Sequence, residues 1–338
     1  MYPTNYELEI SSDCNAACPS CDRTDYKMPM RSNDNLTLDD IKNIFYKREM
    51  VEGKYFNFSG VLGDPILNPE CLEICEFLDS MGGQVSLSTN GGYNTAEWWS
   101  ELAKIKGVSV RFATDGGPET NHIYRVNVKW ENLLRNMTAY SQAGGSGSCV
   151  FIPFSHNEGD YDFVKNLADE LGFSFRVRTN SRNILNKRSS FDRKRKENIE
   201  IAPANNVGFN HGNKEKIYEM KDLLDNPDQH VDRLNELVKD ISCRFINGDD
   251  LFIGSDMTMW PCCHIYAEKK RRPAVVDGHL PEGYNNLKKF TIDEILQSEF
   301  YQTLTDRWYA SHPQFLKRCM RTCNKTGGTG NNKVNSIS

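Results

Sequence analysis

Three cysteines near the start of the chain, Cys14, Cys18 and Cys21, stand in the spacing C-x3-C-x2-C within YELEISSDCNAACPSCDR. A loop leaving a strand can turn three such thiols toward one inorganic centre and leave a fourth coordination position open. A cubane iron–sulfur cluster held by four cysteines is coordinatively saturated. One held by three keeps an iron free to bind a substrate or cofactor. The spacing alone also admits zinc, with a fourth ligand from elsewhere, and reduced cysteines without metal. A second set, Cys243, Cys262, Cys263, Cys319 and Cys323, lies near the C-terminus. Cys71 and Cys75 are four apart on a helical stretch, but a buried cysteine is a small hydrophobe. Core packing is the expectation for both, and for Cys149.

The chain has 11 cysteines in 338 residues, with 38% hydrophobic and 26% charged residues. That length favours a main domain plus an appendage. No apolar run approaches the ~20 residues that cross a bilayer. The N-terminal MYPTNYELEI lacks the basic flank and apolar stretch of a secretory signal. A cytoplasmic location is therefore expected, with neither a membrane nor a nucleic acid as partner, the net charge being −5. In a reducing compartment, this many cysteines point to metal or redox chemistry rather than disulfides.

The elements that position the first three cysteines alternate. Strand-like runs occur at 6–11, 55–60, 84–88, 109–113, 149–154 and 174–178, separated by amphipathic helical stretches. In LDDIKNIFYKREM, for example, Ile41, Ile44 and Phe45 share a face. Gly82-Gly83, Gly144-Gly145 and Gly172 follow helices where a left-handed cap is wanted. Six βα units imply a parallel sheet with right-handed crossovers. They are too few for a closed eight-stranded barrel, so the expected fold is α/β, a partial (β/α)6 TIM-type barrel or else an open sheet. Its site belongs at the C-terminal ends of the strands, where the three cysteines fall.

Further motifs sit at those same ends. SGVLGDP, Ser59 to Pro65, offers close backbone approach at Gly60 and Gly63, a carboxylate at Asp64 and carbonyls for an ammonium group. STNGG, Ser88 to Gly92, offers Ser88 and Asn90 to a carboxylate or ribose. ATDGG, Ala113 to Gly117, offers Asp115 to a ribose, and Arg125 follows as a carboxylate clamp. Each string alone is ordinary turn chemistry. Together they describe a pocket for an amino-acid nucleoside.

On CNAACPSC, SGVLGDP and the TNG and TDG turns, the first ~180 residues resemble the radical S-adenosylmethionine (radical SAM) superfamily. Asp64 stands where that family usually has Glu, and Ser20 where an aromatic residue precedes the third cysteine. The resemblance implies a [4Fe–4S] cluster on Cys14, Cys18 and Cys21, with SAM chelating its open iron. Gly63 and Asp64 would meet the SAM amino group. Ser88, Asn90 and Asp115 would meet ribose or carboxylate, and Arg125 the carboxylate. FIPFSHNE corresponds to a stretch near adenine, with His156 read as structural. Reduction of the cluster, by a donor such as flavodoxin or ferredoxin, would yield a 5′-deoxyadenosyl radical that abstracts hydrogen from substrate.

The C-terminal cysteines resemble a twitch domain, the shortened relative of the SPASM domain, holding one auxiliary [4Fe–4S] cluster. The ligands it implies are Cys243, Cys262, Cys319 and Cys323, with Cys262 preferred over Cys263; a four-cysteine zinc site is the rival. Met257 stands where the twitch hairpin commonly has glycine. Trp260 is expected to shield the cluster. The expected organisation is a barrel over 1–185, a charged linker and one helix over 186–240, a small α+β iron–sulfur module over 241–324, and a disordered tail over 325–338. The basic cluster Arg193, Lys194, Arg195, Lys196 reads as a solvated face. Starting at its first barrel strand, the chain is expected to lack an added peptide-recognition domain. That tilts the substrate toward a small molecule, or a peptide bound unaided. A two-electron oxidation leads; a redox-neutral epimerisation, with Cys263 or Cys149 as hydrogen donor, and an iron–sulfur sensor or electron-transfer protein are the alternatives. No catalytic acid or base stands out.

Overall fold

Apolar and polar residues alternate along the early strands, and this alternation gives the sheet two chemically different faces. The computed structural model describes residues 2–178, 188–192, 196–205, 214–271, 276 and 281–325. They divide into two compact units: one begins at Leu8 and runs to 205, and the other joins residues 2–7 to 214–325.

β1 (Asn5–Leu8) leads out of the second of these units. In the first unit, β2 (Tyr55–Phe58), β3 (Gln84–Thr89), β4 (Val108–Ala113), β5 (Ser146–Phe151) and β6 (Ser174–Val177) pair in sequence order, all parallel. The helices α1 (Leu38–Ile44), α2 (Cys71–Ser80), α3 (Ala96–Ala103), α4 (Trp130–Gln142) and α5 (Tyr161–Glu170) alternate with the strands. This is the expected α/β partial barrel. Thr37 starts α1 with a reciprocal capping box to Asp40. Gly82, Gly144 and Gly172 take the left-handed conformation after α2, α4 and α5.

Register fixes which side chains share a face. Thr89, Phe112, Cys149 and Phe175 form one row, and Phe58, Leu87 and Val110 the row beside it. Phe112 packs against Trp99, Tyr140 and Phe173, with ring centroids 5.2 to 5.8 Å apart. Burying each large ring is worth about 1.5–3 kcal/mol. The opposite face carries Asn57, Ser86 and Ser109 in one row and Ser88, Arg111, Ser148 and Ser174 in the next. A parallel sheet buried on both faces reads as continuous apolar runs; these strands keep one face polar. Cys149 lies on the apolar side, fully buried, as core packing requires.

Two strand boundaries differ from expectation. β5 begins at Ser146 and ends at Phe151 rather than spanning 149–154. The Ile152 N–H instead donates to Asp115 at 2.7 Å, and Pro153 has no N–H to offer the ladder. β1 ends at Leu8 because the next residues turn into the cysteine loop.

Residues 186–240, expected as a linker and one helix, hold more structure. β7 (Ser189–Asp192) and β8 (Glu197–Glu200) form an antiparallel hairpin. They are followed by α6 (Lys214–Asp225) and α7 (Val231–Leu237). Leu223, Leu224, Leu234 and Leu237 supply the apolar spacing that the charged composition obscures, and they pack with Trp308, Phe315 and Met320. Of the basic cluster, 193–195 lie outside the described residues, as does the tail beyond 325.

In the second unit, β9 (Asp250–Ile253) pairs antiparallel with β10 (Met259–Trp260). Met257 takes φ +60°, so the turn keeps a glycine-type conformation despite a buried side chain. Trp260 is buried, edge-on to Phe300 and Tyr284. α8 (Cys263–Arg271), α9 (Ile292–Leu296) and α10 (Lys317–Cys323) complete the small α+β module. Among the described residues no helix is long and apolar enough to cross a membrane.

Cys71 and Cys75 are fully buried on α2, as core packing requires. Cys75→Ser places a hydroxyl in that core and is expected to cost about 1–3 kcal/mol in urea denaturation, with bound iron unchanged. Loss of iron would return these thiols to the metal reading.

Candidate cluster and cofactor site

The cysteine loop is held by backbone ties on both sides. Ser12 and Cys14 donate their N–H groups to Asp34 and Met30 carbonyls. The Asp13 carboxylate accepts from the Ser32 and Asn33 N–H groups at 2.6 and 3.1 Å. Further on, Ala17 N–H donates to the Val126 carbonyl at 3.0 Å, and Cys21 N–H to Cys18 at 3.1 Å. Cys18 is buried, while Cys14 and Cys21 are half-buried. Burial, then the charges of Asp64 and Cys18, hold the Cys14 thiol far above its ordinary range. Burial pushes the Cys18 thiol up to about 11, against the pull of Arg125. Such thiols ionise only beside a cation, and a bound metal supplies one, reversing the local balance. The donor set therefore fits a metal–sulfur centre.

The glycine-rich loop after β2 lies directly on this one. A Cβ on Gly63 would collide with the Ser11 carbonyl, and one on Gly60 with the Gly63 carbonyl. Asp64 N–H donates to the Asp13 carbonyl at 2.7 Å. Its buried carboxylate accepts from the backbone and side-chain nitrogens of Asn90, at 2.8 and 2.7 Å. Asn90 Nδ2 also reaches Asn15 at 2.8 Å and lies 3.9 Å from Cys14 Sγ. Desolvation raises the Asp64 pKa, while hydrogen bonds from Asn90, Thr89 and Ile66 oppose the rise. Asp64 and Asn90 thus come together at the cysteine loop.

Two residues that sequence reasoning missed clamp the same turn. Glu9 accepts from the Val61 and Leu62 N–H groups at 2.8 and 3.0 Å. Arg23 donates to the Leu62 carbonyl at 2.7 Å and to that of Ser12. Both are buried. The available signal was a charge at the end of an apolar strand and another just after Cys21.

Asp115 and Arg125 are also brought together. Asp115 is 0% exposed, and one oxygen accepts from Arg125 Nε at 2.6 Å. Its other oxygen takes the Ile152 N–H. Burial raises the Asp115 pKa and Arg125 offsets it. Burial works against the Arg125 charge, but Asp115 and Cys18 outweigh it and keep the guanidinium protonated. Arg125 Nη1 lies 3.6 Å from Cys18 Sγ. Ser88 stands apart from these bonds, half-buried on the polar face opposite Arg111. His156 stacks on Phe154 with centroids 5.3 Å apart.

In the other unit, Cys262 lies at the start of α8, and Cys319 and Cys323 lie on α10. The Cys323 carbonyl accepts from Ser242 N–H at 3.0 Å, bringing in Cys243. Burial, then Cys323 and Cys243, push the Cys262 thiol up to about 12. Cys319 is raised by burial and then by Cys262, Cys323 and Cys243. Cys263 instead turns to Glu7, with which its thiol shares a hydrogen bond. Among the described residues no three His, Cys, Asp or Glu side chains are close enough to hold one metal ion. Zinc needs its thiolates on a single centre. Four cysteines of this kind are the ligand set either of a four-cysteine zinc site or of a saturated cubane cluster.

Residues 8–169 match the family model described as the Radical SAM superfamily. Two Mycobacterium tuberculosis proteins, both named Mycofactocin maturase MftC, are 26% identical over 171 residues, 50% of this chain and 42% of theirs. The match thus spans less than half of these curated relatives. Streptococcus suis SuiB bound to S-adenosylmethionine aligns with a TM-score of 0.58 and 11% identity, over 95% of this chain and 73% of SuiB. The anSMEcpe structure with bound AdoMet aligns at 0.55 and 14%, over 98% and 88%. These structural likenesses show a shared fold.

Gly63→Ala is expected to destabilise the protein by more than about 2 kcal/mol in urea denaturation, because backbone must move. Gly159→Ala, with open space around it, is expected within about 0.5 kcal/mol of the parent. Equal effects would contradict the close approach of the two loops.

Proposed function

We propose that this chain, whose residues 8–169 belong to the radical SAM superfamily, carries out SAM-dependent radical oxidation of a peptide with the help of a second cluster. Cys14, Cys18 and Cys21 would hold the first [4Fe–4S] cluster, and Cys243, Cys262, Cys319 and Cys323 the second. When bound, the first cluster supplies the electron that splits the SAM sulfonium, giving the radical that takes a hydrogen atom from substrate. A second cluster would offer an acceptor for the further electron that net oxidation removes.

The chain's own residues do the positioning. Gly63 brings backbone carbonyls onto the cysteine loop, where an ammonium group would sit. Asp64 and Asn90 lock that loop to the end of β3. Ser88 remains available to a ribose or carboxylate. Asp115, with both oxygens bonded, orients Arg125 in this reading. Ser86, Arg111 and Ser148 give the adjoining sheet face polar partners for a substrate.

One observation carries the reading: cysteines form two separate groups, three in one unit and four in the other. Of the small molecule or peptide expected above, a peptide is favoured on two grounds. The matched M. tuberculosis protein is named a maturase, and SuiB has been solved with the precursor peptide SuiA, at a TM-score of 0.55. A redox-neutral second reading has one observation in its favour, the half-buried Cys263 thiol held by Glu7 outside the ligand set.

Iron and acid-labile sulfide counting after anaerobic reconstitution tests the assignment. The parent should hold about eight irons per chain and Cys263→Ala the same, as two cubanes require. Alanine at Cys14, Cys18 and Cys21 together should leave about four, as should alanine at Cys243, Cys262, Cys319 and Cys323. About four in the parent, falling to none in the first variant, would remove the second cluster and the oxidation argued from it.

A further inference from the structure

Arg125 is held more rigidly than a residue that only meets a diffusible ligand needs to be. Its Nε donates to Asp115 at 2.6 Å. Asp115 is itself fixed on every side. Its second oxygen takes the Ile152 N–H at 2.7 Å, its own N–H donates to Asn121 at 2.9 Å, and its carbonyl accepts from Asn157 at 2.9 Å. The backbone beside Arg125 is tied to the cysteine loop through Ala17 N–H and the Val126 carbonyl. The result is a half-buried, permanently charged guanidinium whose Nη1 is aimed at Cys18 Sγ from 3.6 Å.

We propose that Arg125 sets the reduction potential of the cluster held by Cys14, Cys18 and Cys21, making it easier to reduce. This rests on the cluster assignment above. Reduction adds one electron to the cluster and its thiolates. A fixed cation with an N–H directed at a ligand sulfur stabilises that added charge. Hydrogen bonds to cluster sulfurs and the surrounding charge are what set such potentials. The low dielectric around the buried Cys18 and Asp115 strengthens the effect. Asp115 offsets it only in part, because the guanidinium stands between its carboxylate and Cys18. Its role is to keep Arg125 in place.

The test is an EPR-monitored redox titration of the reconstituted full chain without SAM. It compares the parent, Arg125→Gln and Arg125→Lys, and the triple alanine variant at the three cysteines assigns the signals. Arg125→Gln should retain iron yet lower the midpoint. At fixed potential, its ratio of reduced to oxidised cluster should fall about tenfold, about 59 mV for a one-electron couple. Arg125→Lys should recover part of the loss, and the signal of the C-terminal cluster should not move. Where Arg125→Gln loses iron because Asp115 is left unpaired, Arg125→Gln with Asp115→Asn removes both charges. That pair should give a smaller shift in the same direction. An unchanged midpoint in a cluster-loaded variant, with or without weaker SAM binding, would overturn the proposal. A parent with no signal dependent on Cys14, Cys18 and Cys21 would overturn the cluster assignment and this inference with it.

Discussion

Burial holds the Cys14 and Cys18 thiols above their ordinary range, and ionising them together calls for a cation beside them. That constraint organises the first unit. Burial, helped at Cys14 by the charges of Asp64 and Cys18, keeps both protons in place, a setting that fits a positive centre. Around it the protein supplies hydrogen bonds from neutral and charged side chains. Asn90 ties Asn15 to Asp64, Glu9 and Arg23 pin the turn above, and Arg125 faces Cys18. Each group acts on backbone or sulfur, and together they leave the loop little freedom to collapse.

The sheet makes this arrangement possible by keeping two kinds of face. Trp99, Phe112, Tyr140 and Phe173 bury one side beneath the helices. Serines and Arg111 line the other. Loops at the strand ends then inherit a rigid platform on one side and a polar face on the other. The second unit repeats the logic in smaller form. A leucine-rich helical core supports α10, which presents Cys319 and Cys323 one turn apart beside Cys262 and Cys243.

Much of this was legible in the sequence because it is local. The cysteine spacing, the order of βα units and the glycines after helices are short-range signals, and the structure shows the elements they imply. What was not legible depends on partners far apart in the chain. Glu9 and Arg23 bond backbone groups some fifty and forty residues away, which no motif records. Asp115 reads as a ribose partner, whereas in the structure it is fully buried with its two oxygens on Arg125 and the Ile152 N–H. The strands β7 and β8 and the helix α6 were hidden by a charged composition, although Leu223 and Leu224 of α6 help carry the core, whereas the helix at Val231–Leu237 was legible.

The most direct test of the central claim is 5′-deoxyadenosine formation, measured by mass spectrometry after anaerobic incubation of the reconstituted protein with SAM and dithionite. The account predicts 5′-deoxyadenosine from the parent and none above background from Cys18→Ala. A parent loaded with cluster that forms no 5′-deoxyadenosine would contradict it.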